Sequence, residues 1–198
     1  MRFYKLEDPS PRSYQYAVAD TAFAGFERTI CPACGRELAS ARFEGPHCLI
    51  AEGGPRYPDQ LPFCGAGGPM LILSRRAVEI FRENGISGIG EVRPVQVRKA
   101  GQTPLPGSAP DYCLVTVSGK VELDLEAMCL KKKRLCPSCG SFDWNRQRMP
   151  KLCVDERIWD GSSLCRAVSI PGYLICTEEL VALVKKYRLK GFSFQPTR

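Results

Sequence analysis

Apolar residues in this chain come in short clusters, and the longest runs, such as Leu180-Val181-Ala182-Leu183-Val184, reach only five residues. A membrane-spanning helix needs about 20, so none is expected. Phe3-Tyr4-Lys5-Leu6 reads as a strand. Leu71-Ile72-Leu73-Ser74 and, 103 residues later, Leu174-Ile175-Cys176-Thr177 read as two more, each ending in a hydroxyl. Beyond the first, Ala77, Ile80, Phe81 and Asn84 fall on one helical face, and beyond the second Leu180, Leu183, Val184 and Tyr187 do the same. The spacing therefore predicts strand, helix and strand twice. Ser74 and Thr177 are the expected N-caps, because each hydroxyl can accept from an amide of the first turn. Glu178 and Glu179 suit the positive end of the second helix, whereas Arg75 and Arg76 do not suit that of the first. Each helix is followed by a glycine and an apolar strand start, Gly88-Ile89 and Gly191-Phe192. Residues 112–118 and 121–125 alternate as a β-hairpin would, with Gly119-Lys120 at the turn. Residues 51–69 and 100–110 are rich in Gly and Pro and read as loops.

The two halves share more than this grammar. Cys31-Pro-Ala-Cys34-Gly35 recurs as Cys136-Pro-Ser-Cys139-Gly140, 105 residues on, and Cys48 and Cys153 are separated by the same 105. The expected fold is α+β, with two zinc-linked pseudo-repeats in a single domain spanning 1–198. Each repeat has a small sheet, one main helix and a CPxCG knuckle. Pseudo-repeat 1 covers about 26–97, a hairpin and linker 98–130, and pseudo-repeat 2 about 131–198. A duplication accounts for the match better than chance resemblance of strand–helix–strand units.

Cysteine is the chemically informative residue, at 11 of 198. The N-terminal residues hold no apolar segment of secretory type, so a reducing cytoplasm is expected, where cysteines are thiols or metal ligands. In CPxCG the proline fixes φ after the first ligand, and the glycine permits the turn that aims backbone amides at sulfur. Two knuckles supply the four thiolates of a tetrahedral zinc site. Cys31, Cys34, Cys136 and Cys139 are the candidate ligands of one structural Zn²⁺ per chain, shared between the halves. A rival arrangement gives each half its own site, with Cys48 and Cys64 completing the first and Cys153 and Cys165 the second. Redox chemistry is not favoured, since no amphipathic helix opens at either CxxC. Cys113, Cys129 and Cys176 sit in apolar contexts and read as small core residues.

The rest of the composition narrows the chemistry. With one histidine, His47, a multi-histidine metal centre is excluded and any Ser-His or Cys-His machine would have to run through that residue. No phosphate-binding loop, dinucleotide loop, nucleophile elbow or HExxH occurs. The acids at 122, 124 and 126 read as a solvated strand face. A closed set of four thiolates leaves no open metal position, so no enzyme is expected. The net charge is +7. Lys131-Lys132-Lys133-Arg134 runs into the second knuckle, with Arg146, Arg148 and Lys151 beyond it and Phe142 and Trp144 interleaved. A zinc ribbon of that kind can bind nucleic acid, although a solvated charge run beside a structural metal explains it more simply.

The doubled CPxCG, the segment around Leu73-Ser74-Arg75 and the closing Cys176-Thr177-Glu178…Gly191-Phe192-Ser193-Phe194 together resemble the myxobacterial double-CXXCG-motif proteins, from Phe3 to Pro196. That family is described as the immunity proteins of swarm-inhibition toxin systems. The resemblance implies a cytoplasmic antitoxin that binds and neutralises a cognate protein toxin of kin cells, with no membrane partner. The motif maps onto Cys31, Cys34, Gly35, Cys136, Cys139 and Gly140 and identifies no toxin-contacting residue. Candidate anchors are the loops at 51–69 and 100–112, Trp144 and Trp159. A positive net charge suits an acidic toxin face.

Overall fold

The computed structural model describes residues 1–7, 14–19, 26–41, 47–53, 56–64, 70–99, 110–133, 135–145, 149–170 and 172–198. The molecule is α+β, mostly sheet, with two helices among the described residues. The first half contributes β1 (Phe3–Glu7), β2 (Gln15–Ala19), β3 (Phe26–Ile30), β4 (Glu37–Ala41), β5 (His47–Gly53), β6 (Gln60–Leu61), β7 (Phe63–Cys64), β8 (Met70–Ser74), α1 (Arg75–Glu83) and β9 (Ile89–Lys99). The second contributes β10 (Tyr112–Val117), β11 (Gly119–Leu123), β12 (Lys132–Lys133), β13 (Asp143–Trp144), β14 (Val154–Trp159), β15 (Leu164–Ala167), β16 (Leu174–Thr177), α2 (Glu178–Lys186) and β17 (Ser193–Pro196).

Two sheets organise the chain. In one the order is β5-β2-β7, then β6-β8-β10-β9, with β5 also paired to β9. Only Pro62 separates β6 from β7, and its carbonyl accepts from Ala17 N at 2.6 Å. These two short strands are thus one interrupted strand, and the sheet returns to its start as a barrel. The other sheet runs β14-β11-β15-β16-β1-β17. Its ends meet as well: Arg198 N donates to Leu152 O at 2.8 Å and Val154 N to Arg198 O at 3.4 Å. Read in these orders, successive pairs in both sheets are antiparallel, parallel, antiparallel, antiparallel and antiparallel. The register agrees too, since Tyr112 faces Ser74 as Phe3 faces Thr177. Strand β1, first in the chain, lies in the sheet built from the second half, and β10 lies in the sheet of the first.

Alternation along the strands creates three cores among the described residues. Ala17, Leu61, Ile72, Val95, Tyr112 and Leu114 fill the first barrel. Phe3, Val121, Leu123, Val154, Cys165, Ala167 and Ile175 fill the second. The opposite faces of β8, β10, β16 and β1 (Leu73, Val115, Cys176, Leu6) pack with both helices into a shared core. Ala77, Ile80 and Phe81 of α1 and Leu180, Leu183 and Val184 of α2 all belong to it, on the faces that the periodicity predicts. Ser74 caps α1, accepting from Ala77 N at 3.1 Å. Thr177 occupies the same place before α2 but makes no side-chain cap, and its buried Oγ1 has no hydrogen-bond partner among the described residues.

The expected hairpin at 112–125 does not form. Both strands exist, but β10 joins one sheet and β11 the other. Gly119 is the crossing point rather than a turn: its amide reaches Gly88 O at 3.4 Å, and a Cβ there would lie 2.2 Å from Leu164 O. Backbones approaching this closely leave no room for a side chain. Reciprocal contacts join the barrels. Leu164 N donates to Ser87 O at 3.1 Å, and Gln60 N to Lys190 O at 3.0 Å.

Candidate metal centre

Each CPxCG sits at the tip of a two-stranded ribbon, β3–β4 in the first half and β12–β13 in the second. The local geometry repeats. Gly35 N donates to Cys31 O at 2.8 Å and Gly140 N to Cys136 O at 2.9 Å, while Cys31 N and Cys136 N donate to Arg36 O and Ser141 O, both at 2.8 Å. Gly35 and Gly140 have φ of +69° and +70°, the left-handed turn expected of that position.

The two tips converge. The sulfurs of Cys31, Cys34, Cys136 and Cys139 all lie within 4.8 Å of one another, and these four cysteines lie together so that they could hold a metal ion. Cys31 Sγ is 3.9 Å from Cys136 Sγ, and Cys34 Sγ is 3.6 Å from Cys139 Sγ. A tetrahedral ion with metal–sulfur bonds of about 2.3 Å requires sulfurs about 3.8 Å apart, so the donor set fits. Cys31 and Cys136 are buried, Cys139 is half-buried and Cys34 is exposed, which places one rim of the centre against solvent.

Backbone and side-chain donors favour thiolate at particular sulfurs. The amides of Ala33 and Cys34 hold the Cys31 thiol below its usual value against desolvation. The Ser141 hydroxyl, whose oxygen lies 3.2 Å from Cys139 Sγ, and the Ser141 amide bring Cys139 down to about 6. At Cys34 the Arg36 amide favours the thiolate, but desolvation and the thiols of Cys139, Cys31 and Cys136 outweigh it and push Cys34 up to about 12. Four sulfurs this close cannot all carry charge without a cation among them, and a divalent ion would supply the compensation.

Arg36 ties the ribbons together, a role that its place after the motif does not reveal. Its Nη1 donates to Phe142 O at 2.7 Å, and Nη2 pairs with Asp143 Oδ1. Among the described residues no other cysteine group could hold a metal. Cys165 faces the interior of the second barrel, 3.2 Å from Ser162 O, with burial pushing its thiol up to about 12. Cys153 is half-buried and packs against the same core. The side chains of Cys48, Cys64 and His47 lie outside the described residues.

Other expected features are also placed. Lys131, Lys132 and Lys133 are exposed beside the second knuckle, while Arg134, Arg146 and Arg148 lie outside the described residues. Lys132 Nζ sits 4.5 Å from the Phe142 ring centre, and Phe142 meets Trp144 edge to face at 4.9 Å. Of the expected anchors, Trp159 is committed to the fold through Ser162 O at 2.9 Å and an edge contact with Phe3. Residues 54–55, 65–69 and 100–109 of the candidate loops lie outside the described residues. No described helix is long and apolar enough to cross a membrane. No family model matches this chain, and comparison with curated proteins finds no significant match.

Proposed function

We propose that the chain is a tandem duplication whose two barrel repeats share one structural Zn²⁺, and that it serves as a cytoplasmic immunity protein, binding and silencing a cognate toxin of kin cells. The observation that carries this reading is the convergence of two CPxCG knuckles, 105 residues apart, into one set of four sulfurs. Four thiolates suit zinc and leave it no open position, so the ion would act as a clasp rather than a Lewis acid.

The common strand order, register and reciprocal hydrogen bonds support the duplication. On this reading the repeats run from β1 to β9 and from β10 to β17, about 1–99 and 110–198, wider than the 26–97 and 131–198 expected from the knuckles. Each repeat lends its first strand to the other's barrel. Such a doubly fastened scaffold can hold a recognition surface rigid while that surface changes with its toxin. The +7 charge favours an acidic partner. Nucleic-acid binding is the second reading, favoured by exposed Lys131–Lys133.

Co-expression with the toxin encoded beside this chain's gene tests the proposal. Protected growth and a complex with a dissociation constant in the nanomolar range or tighter are expected. Unprotected cells, together with wild-type protein that binds DNA or RNA at physiological salt, would overturn it.

A further inference from the structure

Ile30 and Leu135 each stand immediately before the first cysteine of a knuckle, at equivalent positions. They are 71% and 63% exposed, among the few large apolar side chains left in water in the described chain. The fold places both beside one centre. Cys31 and Cys136, their chain neighbours, have sulfurs 3.9 Å apart, so covalent geometry keeps the two Cα atoms within ~20 Å of each other. That span fits inside one standard protein interface of about 800 Å² per partner. Around them Pro32, Ala33, Cys34, Pro137 and Ser138 are exposed as well.

Among the side chains described at this tip, the unpaired charge is basic. Lys131–Lys133 are exposed on the ribbon that leads to Leu135, whereas Asp143 is already paired with Arg36. Two aliphatic side chains thus stand in water at matched positions. Their neighbours Cys31 and Cys136 are buried. We infer that the paired knuckle tips form the docking face, with Ile30 and Leu135 as its two apolar anchors and Lys131–Lys133 as a basic rim, and that the occupant is an acidic protein surface with two apolar sockets. This rests on the immunity reading and names the surface through which it would act.

A protein fits this face better than nucleic acid does. Bases stack on free aromatic faces. Here the Phe142 ring holds Lys132 at 4.5 Å and meets Trp144 edge-on, while the projecting anchors are aliphatic. Apolar anchors ringed by charge are the usual anatomy of a protein hot spot, and the rim sets the rate of encounter.

The test uses zinc-loaded full-length protein and the purified toxin encoded by the neighbouring gene as probe, with a toxin-protection assay run in parallel. Ile30→Glu and Leu135→Glu should each weaken binding by ~30-fold or more while leaving zinc content and melting temperature unchanged. Reversing Lys131–Lys133 to Glu should slow association and flatten its salt dependence. Ile158→Glu, at an exposed site in β14, should change nothing. Protection and tight binding that survive both anchor changes would overturn the docking face and leave immunity standing. If the neighbouring gene product is harmless yet binds through the anchors, the immunity reading fails and the face stands. Tight wild-type binding to a 30-base-pair duplex or to anionic phosphatidylglycerol vesicles, lost on Lys reversal alone, would overturn the protein occupant.

Discussion

Replacing Gly88 by alanine probes the seam between the barrels. Gly88 has φ +86°, and a Cβ there would fall 1.8 Å from Leu164 O and 2.9 Å from Leu164 C. The left-handed backbone alone costs a β-carbon about 1–2 kcal/mol. The steric conflict adds to this, because Leu164 is fully buried and its carbonyl must retreat before the contact reaches 3.0 Å. Forcing extra atoms into a packed interior costs about 1–3 kcal/mol. Moving the strand also strains the bond from Leu164 N to Ser87 O, 3.1 Å long, worth about 1 kcal/mol. The expected loss is about 3–6 kcal/mol, or roughly 6–24 °C in melting temperature for a chain of this size. Gly161→Ala is the matched control: φ is +85°, but no atom lies within 4 Å of the would-be Cβ. It should lose only the backbone contribution, about 1–2 kcal/mol. Thermal melts, with urea midpoints at constant slope, separate the two. If Gly88→Ala melts within about 2 °C of Gly161→Ala, the close approach of the barrels at Leu164 is wrong.

Other outcomes follow from the metal centre, the cores and the surface carboxylates. On the proposed reading, elemental analysis of protein purified without chelator should give one zinc per chain, and Cys34→Ser and Cys139→Ser should lower the melting temperature to a similar degree, because each would remove one ligand, from opposite halves of the chain; a wild-type melt for either refutes the shared clasp. Alkylation at pH 8 in native buffer, read by peptide mass spectrometry, should modify exposed Cys129 but spare Cys165 and Cys176, whose thiols are buried and raised, until the protein unfolds. Asp160 is desolvated but accepts from the Ser162 hydroxyl and from the Ser162 and Lys120 amides, which hold it below the ordinary carboxylate range. Its stabilisation is therefore full above the unfolded value of about 3.9 and is lost as pH falls through the lower folded value. Asp160→Asn should accordingly melt below wild type at neutral pH, and the gap should close on acidification; a constant gap refutes the assignment.

Features set by nearby residues were legible in the sequence. The helical faces of α1 and α2 need only a periodicity over eight residues, and a knuckle needs only CPxCG. The Ser74 cap is equally local. Thr177 holds the equivalent place in the sequence but makes no side-chain cap. Sheet membership was hidden. Gly119-Lys120 has the composition of a hairpin turn, yet the glycine is there because Leu164 O, far along the chain, passes beside it. Likewise nothing local to Phe3–Glu7 says that this strand pairs with residues 174–177 and 193–196. The Arg36 bridge was equally hidden, since its acceptors at Phe142 and Asp143 lie on the other knuckle.

The position of β1 has a consequence for the order in which the molecule can assemble during synthesis. Phe3–Glu7 leaves the ribosome before the rest of the second barrel, but both of its sheet neighbours, β16 and β17, are made only after the other strands of that barrel. At about 5–20 residues per second this strand waits roughly 10–35 s with its backbone donors and acceptors unclaimed. Over that interval Phe3 and Leu6 have no barrel or shared core to enter, and the strand is open to chaperones, proteases and other nascent copies. A ribosome stalled before Leu174 would present β1 unpaired, so premature termination should yield a substrate for degradation rather than a half-active protein.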